Sequence, residues 1–457
     1  MEEVKEALGA KLLSGAADVK FSGVSTDTRK LKEGDLFFAL QGENFDGHDF
    51  VDRALEQGAG GVVVSKIVSS RPVSSKQCIF EVEDVLNALQ GFASWHLKQM
   101  EVPVVAVTGS NGKTTTKDMI AAALSSSLKV HKTEGNLNNE IGLPLTLLGL
   151  KPTHEVVIVE MGMRGLGQIA QLCEIAPPDI GVVTSITGTH YELLGSMENI
   201  AKAKAELIEA LKAEGYAILN GDNEWCRRIA VRTKAGVSFF GLNGGVEFKP
   251  TSVSFSARRG TYFTLKFGRE RQKFFIPLLG EHNVRNALAA IAVSVKLGLT
   301  PKAIAEGLAE VTLSGMRQEQ VVGRQQILIL DDTYNANADS MIASLRVLKR
   351  LPGKRKVAVL GDMLELGEIS SEKHRQVGQE ASGLNIDILI TVGDLAEDIH
   401  RGAVEAGFPK DRAYHTLSLE DTKVILDEKL KPRDAVLVKA SRGMHLEKVV
   451  EYLQVEK

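Results

Sequence analysis

The chain is poor in cysteine. Cys78, Cys173 and Cys226 are the only three in 457 residues, an odd number, far apart, with no C-x-x-C pair. This excludes a disulfide framework and a thiolate zinc site, and it predicts a reducing compartment. An excess of charge of one sign is also lacking: 55 Lys and Arg stand against 58 Asp and Glu, a formal net charge of −3. Electrostatic binding to nucleic acid or to an anionic membrane is therefore not expected. No apolar run approaches the ~20 residues of a membrane span. The start, Met1-Glu2-Glu3-Val4-Lys5-Glu6, is acidic where a secretory leader would be basic and then apolar. Internal repeats and low-complexity segments are missing. What remains is a chain expected to be soluble and cytoplasmic, with 44% hydrophobic and 25% charged residues, long enough for about three domains.

The stretch that organises the rest is Val104 to Thr116. A β-branched run, Val104-Val105-Ala106-Val107, leads into Thr108-Gly109-Ser110-Asn111-Gly112-Lys113-Thr114-Thr115, and Met119 to Leu128 reads as helix. Strand, glycine loop, Lys-Thr and helix make a phosphate-binding loop. Small residues let successive N–H groups close on phosphates, and a helix start adds its positive dipole end. Lys113 would reach the β/γ oxygens and the Thr114 hydroxyl would hold Mg²⁺. The usual spacing puts a glycine at 107, where Val107 stands.

Strands alternate with helices from 101 to 314, as a parallel sheet requires. Val156-Val157-Ile158-Val159 ends in Glu160, an acid placed as a magnesium partner for the phosphate loop. Ile180 to Thr184 is the next strand, and His190 follows it on a loop at the ligand-binding edge. Ile200 to Leu207 is helical; Lys202 and Lys204 point to different faces and by helical context alone are solvated. Gly135 to Pro144 holds Asn136, Asn138 and Asn139 with two glycines and a proline, and is expected to form no core but to offer amides to a polar ligand. Val253 to Phe267 alternates around Arg259-Gly260 as a hairpin, Glu281 opens a helix with Asn283 and Asn286 on one face, and Thr300-Pro301 starts another.

Residues 1 to 100 read as a small α/β domain with clustered polar loops. Ser25, Thr26, Asp27 and Arg29 offer a phosphate clamp, and Gly42, Phe45, Asp46 and Gly47 lie in a second glycine-rich turn. Residues 315 to 457 give a second doubly wound sheet, with strands at Ile327–Leu330, Val357–Leu360, Ile388–Val392 and Ala435–Val438, each ending in polar or glycine residues. This domain lacks a phosphate loop of its own, which implies that it closes over the first sheet.

Together these stretches resemble the Mur ligase family, the ATP-dependent amide-forming enzymes of peptidoglycan precursor synthesis, over nearly the whole chain. Asn136 to Pro144, Asp331 to Ser340, Gly361 to Gly367 and Val438 to Arg442 resemble the member that adds D-alanyl-D-alanine to a UDP-N-acetylmuramoyl-tripeptide. Ala338 stands where that member has proline, Tyr191 where leucine is usual and Ala440 where glycine is usual. The resemblance implies three α/β domains: 1–100 for the UDP-sugar, through Ser25 to Arg29 and Gly42 to Gly47; 101–314 for ATP; and 315–457, Rossmann-like, for the dipeptide. It assigns Gly109 to Thr115 to the ATP phosphates, and Thr114, Glu160 and His190 to two magnesium ions. Asn283, Asn286, Arg317 and Asp332 go to the nucleotide, and Asn335 and Asn337 to the dipeptide. The Ala-Lys-Ala-Glu run aligns with a lysine carbamylated in several of these ligases, which implies a carbamate at Lys204 that acts beside Lys113, Glu160 and His190 and helps to hold the second magnesium. A monomer in the cytoplasm is the expectation, contributing to wall synthesis, cell shape and division. The sister ligase that adds a diamino acid to a UDP-muramoyl-dipeptide stays open, as does a regulatory P-loop ATPase without ligation. Against the latter, an Asn-Lys-x-Asp guanine signature is absent.

Overall fold

The computed structural model describes residues 2–15, 19–42, 44–66, 74 and 76–455; Met1 of the acidic start and Glu43 within the Gly34–Gly47 stretch lie outside them. The first sheet runs in the order Lys11–Gly15, Cys78–Glu81, Gly61–Val64, Leu36–Phe38, Val24–Ser25, with only the first strand antiparallel to its neighbour. Period-two alternation splits its apolar residues between two layers. Leu36 and Phe38 pack under the helix Val85–Met100, and Phe37 and Val62 under Val51–Glu56. Asp84 caps the longer helix through the Asn87 N–H at 2.6 Å, and left-handed Glu101 (φ 49°) ends it.

The central sheet has six parallel strands in the order Gly236–Phe240, Tyr216–Asn220, Ile180–Val183, Val104–Thr108, Val156–Glu160, Val130–Lys132. Val104 and Ala106 face one apolar layer and Val105 and Val107 the other, which is why this strand reads as an unbroken apolar run. From Val104–Thr108 the chain first builds to one side of the sheet and then to the other. The carboxyl end of that strand is therefore a topological switch point, where open α/β sheets take ligands. Three strands, Ser252–Ser256, Gly260–Phe267 and Glu270–Ile276, form a separate antiparallel sheet, so the expected hairpin gains a third strand.

The last sheet runs Glu319–Val322, Leu328–Asp331, Ala435–Lys439, Lys356–Gly361, Ile388–Val392, Ala413–Thr416, parallel except for its first strand. It is joined to the central body at Ser314, whose N–H and hydroxyl both donate to Asp118 Oδ2 at 2.9 Å. Asp118 lies on the helix that follows the phosphate loop. Beyond the joint, Met316 (φ 58°) and Gln318 (φ 54°) hold left-handed backbone without being glycine.

Several local expectations change. The helix expected over Met119–Leu128 spans Lys113–Ser125, because Gly112 turns the chain directly into the first helical turn. The Gly135–Pro144 stretch does contribute to a core: a helix Gly142–Leu148 starts within it, with Leu143 fully buried. Proline in a first turn leaves no hydrogen bond unmade. Lys204 is not solvated; at 2% exposure it is inside, while Lys202 is exposed. The three cysteines are buried and free, and burial pushes each thiol up to about 12. No described helix is long and apolar enough to cross a membrane.

Candidate active site

The strand Val104–Thr108 delivers its loop between the ends of its two neighbours. Gly109 adopts φ 148°, and a Cβ there would meet the Thr184 hydroxyl at 1.9 Å, so the loop can only pass with glycine. Gly112 (φ 80°) turns the chain into the helix start beneath Asn286, whose Oδ1 a Cβ would meet at 2.8 Å. The loop is tied to the next strand's exit. The Ser110 N–H donates to Ser185 O at 2.8 Å, Ser110 Oγ to Thr187 O at 3.0 Å, and the Asn111 N–H to Ser185 Oγ at 3.1 Å. Lys113 Nζ donates to Gly109 O at 2.8 Å, closing the loop on itself. Burial pushes the Lys113 ammonium below the ordinary lysine range; Glu160 opposes this and Arg317 adds to it.

Glu160 ends its strand 2% exposed, with both oxygens held. Thr114 Oγ1 donates to Oε2 at 2.7 Å and Asn138 Nδ2 to Oε1 at 2.8 Å. A hydroxyl and a buried carboxylate are hard oxygen donors, and Mg²⁺ takes one or two protein carboxylates beside phosphate oxygens. Thr114 and Glu160 fit such an ion. Among the described residues no three His, Cys, Asp or Glu side chains gather as a metal cluster. His190, at φ 63° and half-buried, places Nδ1 2.7 Å from Glu365 Oε2. Burial lowers its pKa, with Glu365 opposing.

Lys204 comes from the helix Met197–Glu209, behind the cleft wall. Its amine has no hydrogen-bond or ion-pair partner among the described residues, and burial, with the Lys113 cation, pushes its pKa well below the ordinary value. Asn283 Nδ2 donates to Leu279 O and to Gln318 Oε1, both at 2.9 Å, and Asn286 Nδ2 lies 3.5 Å from Asn283 Oδ1.

The C-terminal sheet faces this edge with its own strand ends. Asp332 Oδ2 pairs with Lys439 Nζ at 2.7 Å and accepts from Ser344 Oγ at 2.6 Å; Lys439 also donates to Asn335 O at 2.8 Å. Arg317 stacks on Tyr334, 3.8 Å from the ring centre. Asn335 turns its Oδ1 to the Ala336 N–H. Asn337 caps the helix Ala338–Arg350 through the Ser340 N–H, and its Nδ2 crosses to Asn111 Oδ1 and to Thr189 Oγ1 at 3.2 Å. The two sheets enclose a cleft of about 980 Å³ that Lys113, Glu160, His190, Asn283, Asp332 and Asn337 all line. Asn136, Asn138 and Asn139 line it as well.

The N-terminal candidates do not reach this cleft. Arg29 is 82% exposed and pairs with Asp27, Nη2 to Oδ2 at 2.8 Å, while Ser25 Oγ turns to Asp27 O. Asp46 is engaged by Lys66 and by His48, each at 2.6 Å, and Phe45 is exposed. Sequence reasoning missed Lys439, Gln318, Glu365, and Asp222, which pairs with Arg285 at 2.7 Å. Lys439 and Glu365 lay in stretches that carried the resemblance, Val438 to Arg442 and Gly361 to Gly367, but were given no role there.

Three family profiles match the chain: "Mur ligase family, catalytic domain" over residues 20–94, "Mur ligase middle domain" over 107–294 and "Mur ligase, glutamate ligase domain" over 316–442. The UDP-N-acetylmuramoyl-tripeptide–D-alanyl-D-alanine ligase of Bacillus subtilis is 42% identical over 94% of this chain and 93% of its own. The structure of MurF from Acinetobacter baumannii is similar with a TM-score of 0.88 at 29% identity, covering 99% of this chain and 98% of that one. MurF from Thermotoga maritima in complex with ADP gives 0.81 at 30% identity, over 94% and 97%.

Proposed function

The chain belongs to the Mur ligase family, and from that premise we propose that it is the ATP-dependent ligase joining D-alanyl-D-alanine to UDP-N-acetylmuramoyl-tripeptide. The observation that carries this reading is the cleft itself. A phosphate loop and the polar loop Asp331 to Ser340 meet across it, and the Asn337 amide touches Asn111. A phosphate-binding switch has no need of a second ligand-lined sheet over its nucleotide.

The reaction runs in two displacements. A peptide carboxylate oxygen attacks the γ-phosphorus of ATP, the bond to ADP breaks, and an acyl phosphate forms. The dipeptide amine then attacks the acyl carbon, phosphate leaves with the bonding pair, and the amine loses its proton. Lys113 and the loop N–H groups neutralise charge as the phosphoryl group moves, and positioning of this kind carries most phosphoryl-transfer catalysis. Thr114, Glu160 and His190, with a carbamylated Lys204, would hold magnesium, which would supply further charge neutralisation at the phosphates. Arg317, Asn283 and Asn286 serve the nucleotide, with Asp332 kept in place by Lys439. Asn335 and Asn337 lie toward the dipeptide, and Ser25 to Arg29 with Gly42 to Gly47 take the UDP-sugar.

Lys204, rather than Lys202, carries a carbamate: its neutral amine adds to CO₂ and releases a proton. Burial, a depressed pKa and the lack of a partner all favour the neutral amine that this addition needs. ATP dependence and three unpaired thiols support a cytoplasmic location. The deciding experiment is product mass after incubation with ATP, UDP-muramoyl-tripeptide and D-alanyl-D-alanine. A pentapeptide product is expected. Product only from the dipeptide precursor and a diamino acid would identify the sister ligase, and ATP turnover indifferent to both acceptors would remove the ligase reading.

A further inference from the structure

Among the described residues the cleft wall carries one cation whose side chain engages no partner at all. Lys113 is bonded to Gly109, Arg285 to Asp222, Arg346 to Glu380 and Lys439 to Asp332, while Arg317 lies on Tyr334. Arg164 also lines the cleft and is exposed, yet its guanidinium has no hydrogen bond, ion pair or ring contact among the described residues. The backbone that carries it is fixed. The Arg164 and Gly165 N–H groups donate to Gln168 Oε1 at 2.6 and 3.1 Å, and the Gly167 and Ala170 N–H groups to the Glu206 carboxylate at 2.7 and 3.1 Å. Gly162 N–H donates to Asn138 O at 2.9 Å, tying the same segment to Glu160's partner. A rigid loop thus holds out a free, planar, five-donor fork, the geometry that matches a carboxylate bidentately.

Its position indicates whose carboxylate. The helix Gln168–Ile175, which begins just beyond Arg164, packs with Ala93 and Leu97 of the N-terminal helix Val85–Met100. Gln90 of that helix donates to Glu140 O at 3.0 Å, on the loop beside the same wall. This is the side of the cleft that adjoins the N-terminal domain, whereas the loops assigned to the dipeptide come from the opposite sheet. We propose that Arg164 binds a carboxylate of the UDP-linked acceptor peptide, one that the reaction does not consume. This rests on the ligase reading above. A bidentate pair at this point orients the acceptor so that its other carboxylate, the one that reacts, is left free to approach the phosphates. Arg164 is in that sense a specificity-determining residue for acidic acceptor peptides.

The test measures KM for each substrate with wild type, Arg164→Ala and Arg164→Lys, using the acceptor and a version whose surviving carboxylates are amidated. Arg164→Ala should raise KM for the acceptor about tenfold or more, as expected for a lost charge-assisted pair, and leave KM for ATP and dipeptide within about twofold. Amidation should weaken wild type by a similar factor and leave Arg164→Ala unmoved, because the two changes remove one interaction. Arg164→Lys should fall between. An unchanged acceptor KM in Arg164→Ala, a rise confined to the dipeptide, or equal sensitivity of wild type and variant to amidation would each overturn the assignment. A wild-type protein that ligates neither acceptor would instead overturn the ligase reading.

Discussion

Two sets of candidate binding residues behave differently in this molecule. Several in the cleft are committed to partners far away in the chain: Asn337 to Asn111, 226 residues apart, and Lys439 to Asn335, 104 apart. Those in the N-terminal domain are held within their own domain and nearer in sequence; Arg29 pairs with Asp27 two residues away, at the surface, and Asp46 with Lys66 twenty away. The cleft is therefore assembled by the tertiary fold before a ligand arrives. The N-terminal patch is a set of surface contacts that a ligand can exchange cheaply, since an exposed ion pair contributes little. The preorganised phosphate loop should govern rate, and the exchangeable N-terminal contacts should govern affinity for the ligand they meet.

The sharpest way to break that contrast is Lys113→Ala. The variant should fold, since the amine bonds only its own loop, but should lose about a hundredfold or more in kcat, roughly 3 kcal/mol. Near-normal ligation by a folded variant would end the phosphate-loop reading. Next comes Lys204→Ala, expected to lose most activity and to regain part of it with acetate, a small carboxylate standing in for the carbamate. Lys202→Ala, two residues away and exposed, should behave as wild type. Full activity in Lys204→Ala, or loss in Lys202→Ala, would refute the assignment.

A smaller effect separates the two substrates. Arg29→Ala should raise KM for the UDP-peptide by about tenfold with little change for D-alanyl-D-alanine. Asn337→Ala should do the reverse, and should also cost about 1 kcal/mol of stability through its lost helix cap. Equal shifts for both substrates in both variants would erase the distinction between the regions. The smallest effect is a titration. Arg29's side chain and then its N–H hold the Asp27 carboxyl at about 2, below the ordinary 3.8. Because that folded-state value is depressed, any stabilisation it gives is complete above 3.8 and disappears as pH falls through about 2. An NMR titration of Asp27 should show its midpoint moving upward in Arg29→Ala; an unmoved midpoint would mean that the pair does not form in solution.

What the sequence made legible follows the same division. The α/β class could be read because the buried parallel strands, such as Val104–Thr108 and Val156–Glu160, are unbroken apolar runs. Val130–Lys132 and Glu319–Val322 could not, since an edge strand with a polar face carries no such run. The phosphate loop is a local spacing and was visible at once. The burial of Lys204 was not: Ala-Lys-Ala-Lys-Ala-Glu gives no sign of which lysine turns inward, and only the packing of Met197–Glu209 against the sheet decides it. Lys439 and Glu365 stood in stretches that carried the resemblance, but their partners, Asp332 and His190, are remote in sequence and only the fold brings them together.

The buried cysteines make this protein suited to site-directed labelling. With each thiol held at about 12 by burial, only about one part in 10⁵ is thiolate at neutral pH, and the thiolate is the species that reacts with a maleimide. A dye pair could therefore be installed through two new surface cysteines, for instance Lys202→Cys on the central body and Lys410→Cys on the C-terminal one, both exposed positions. No cysteine-free background would be needed. Fluorescence transfer between them would then follow the distance between the two sheets during turnover, with the native thiols silent.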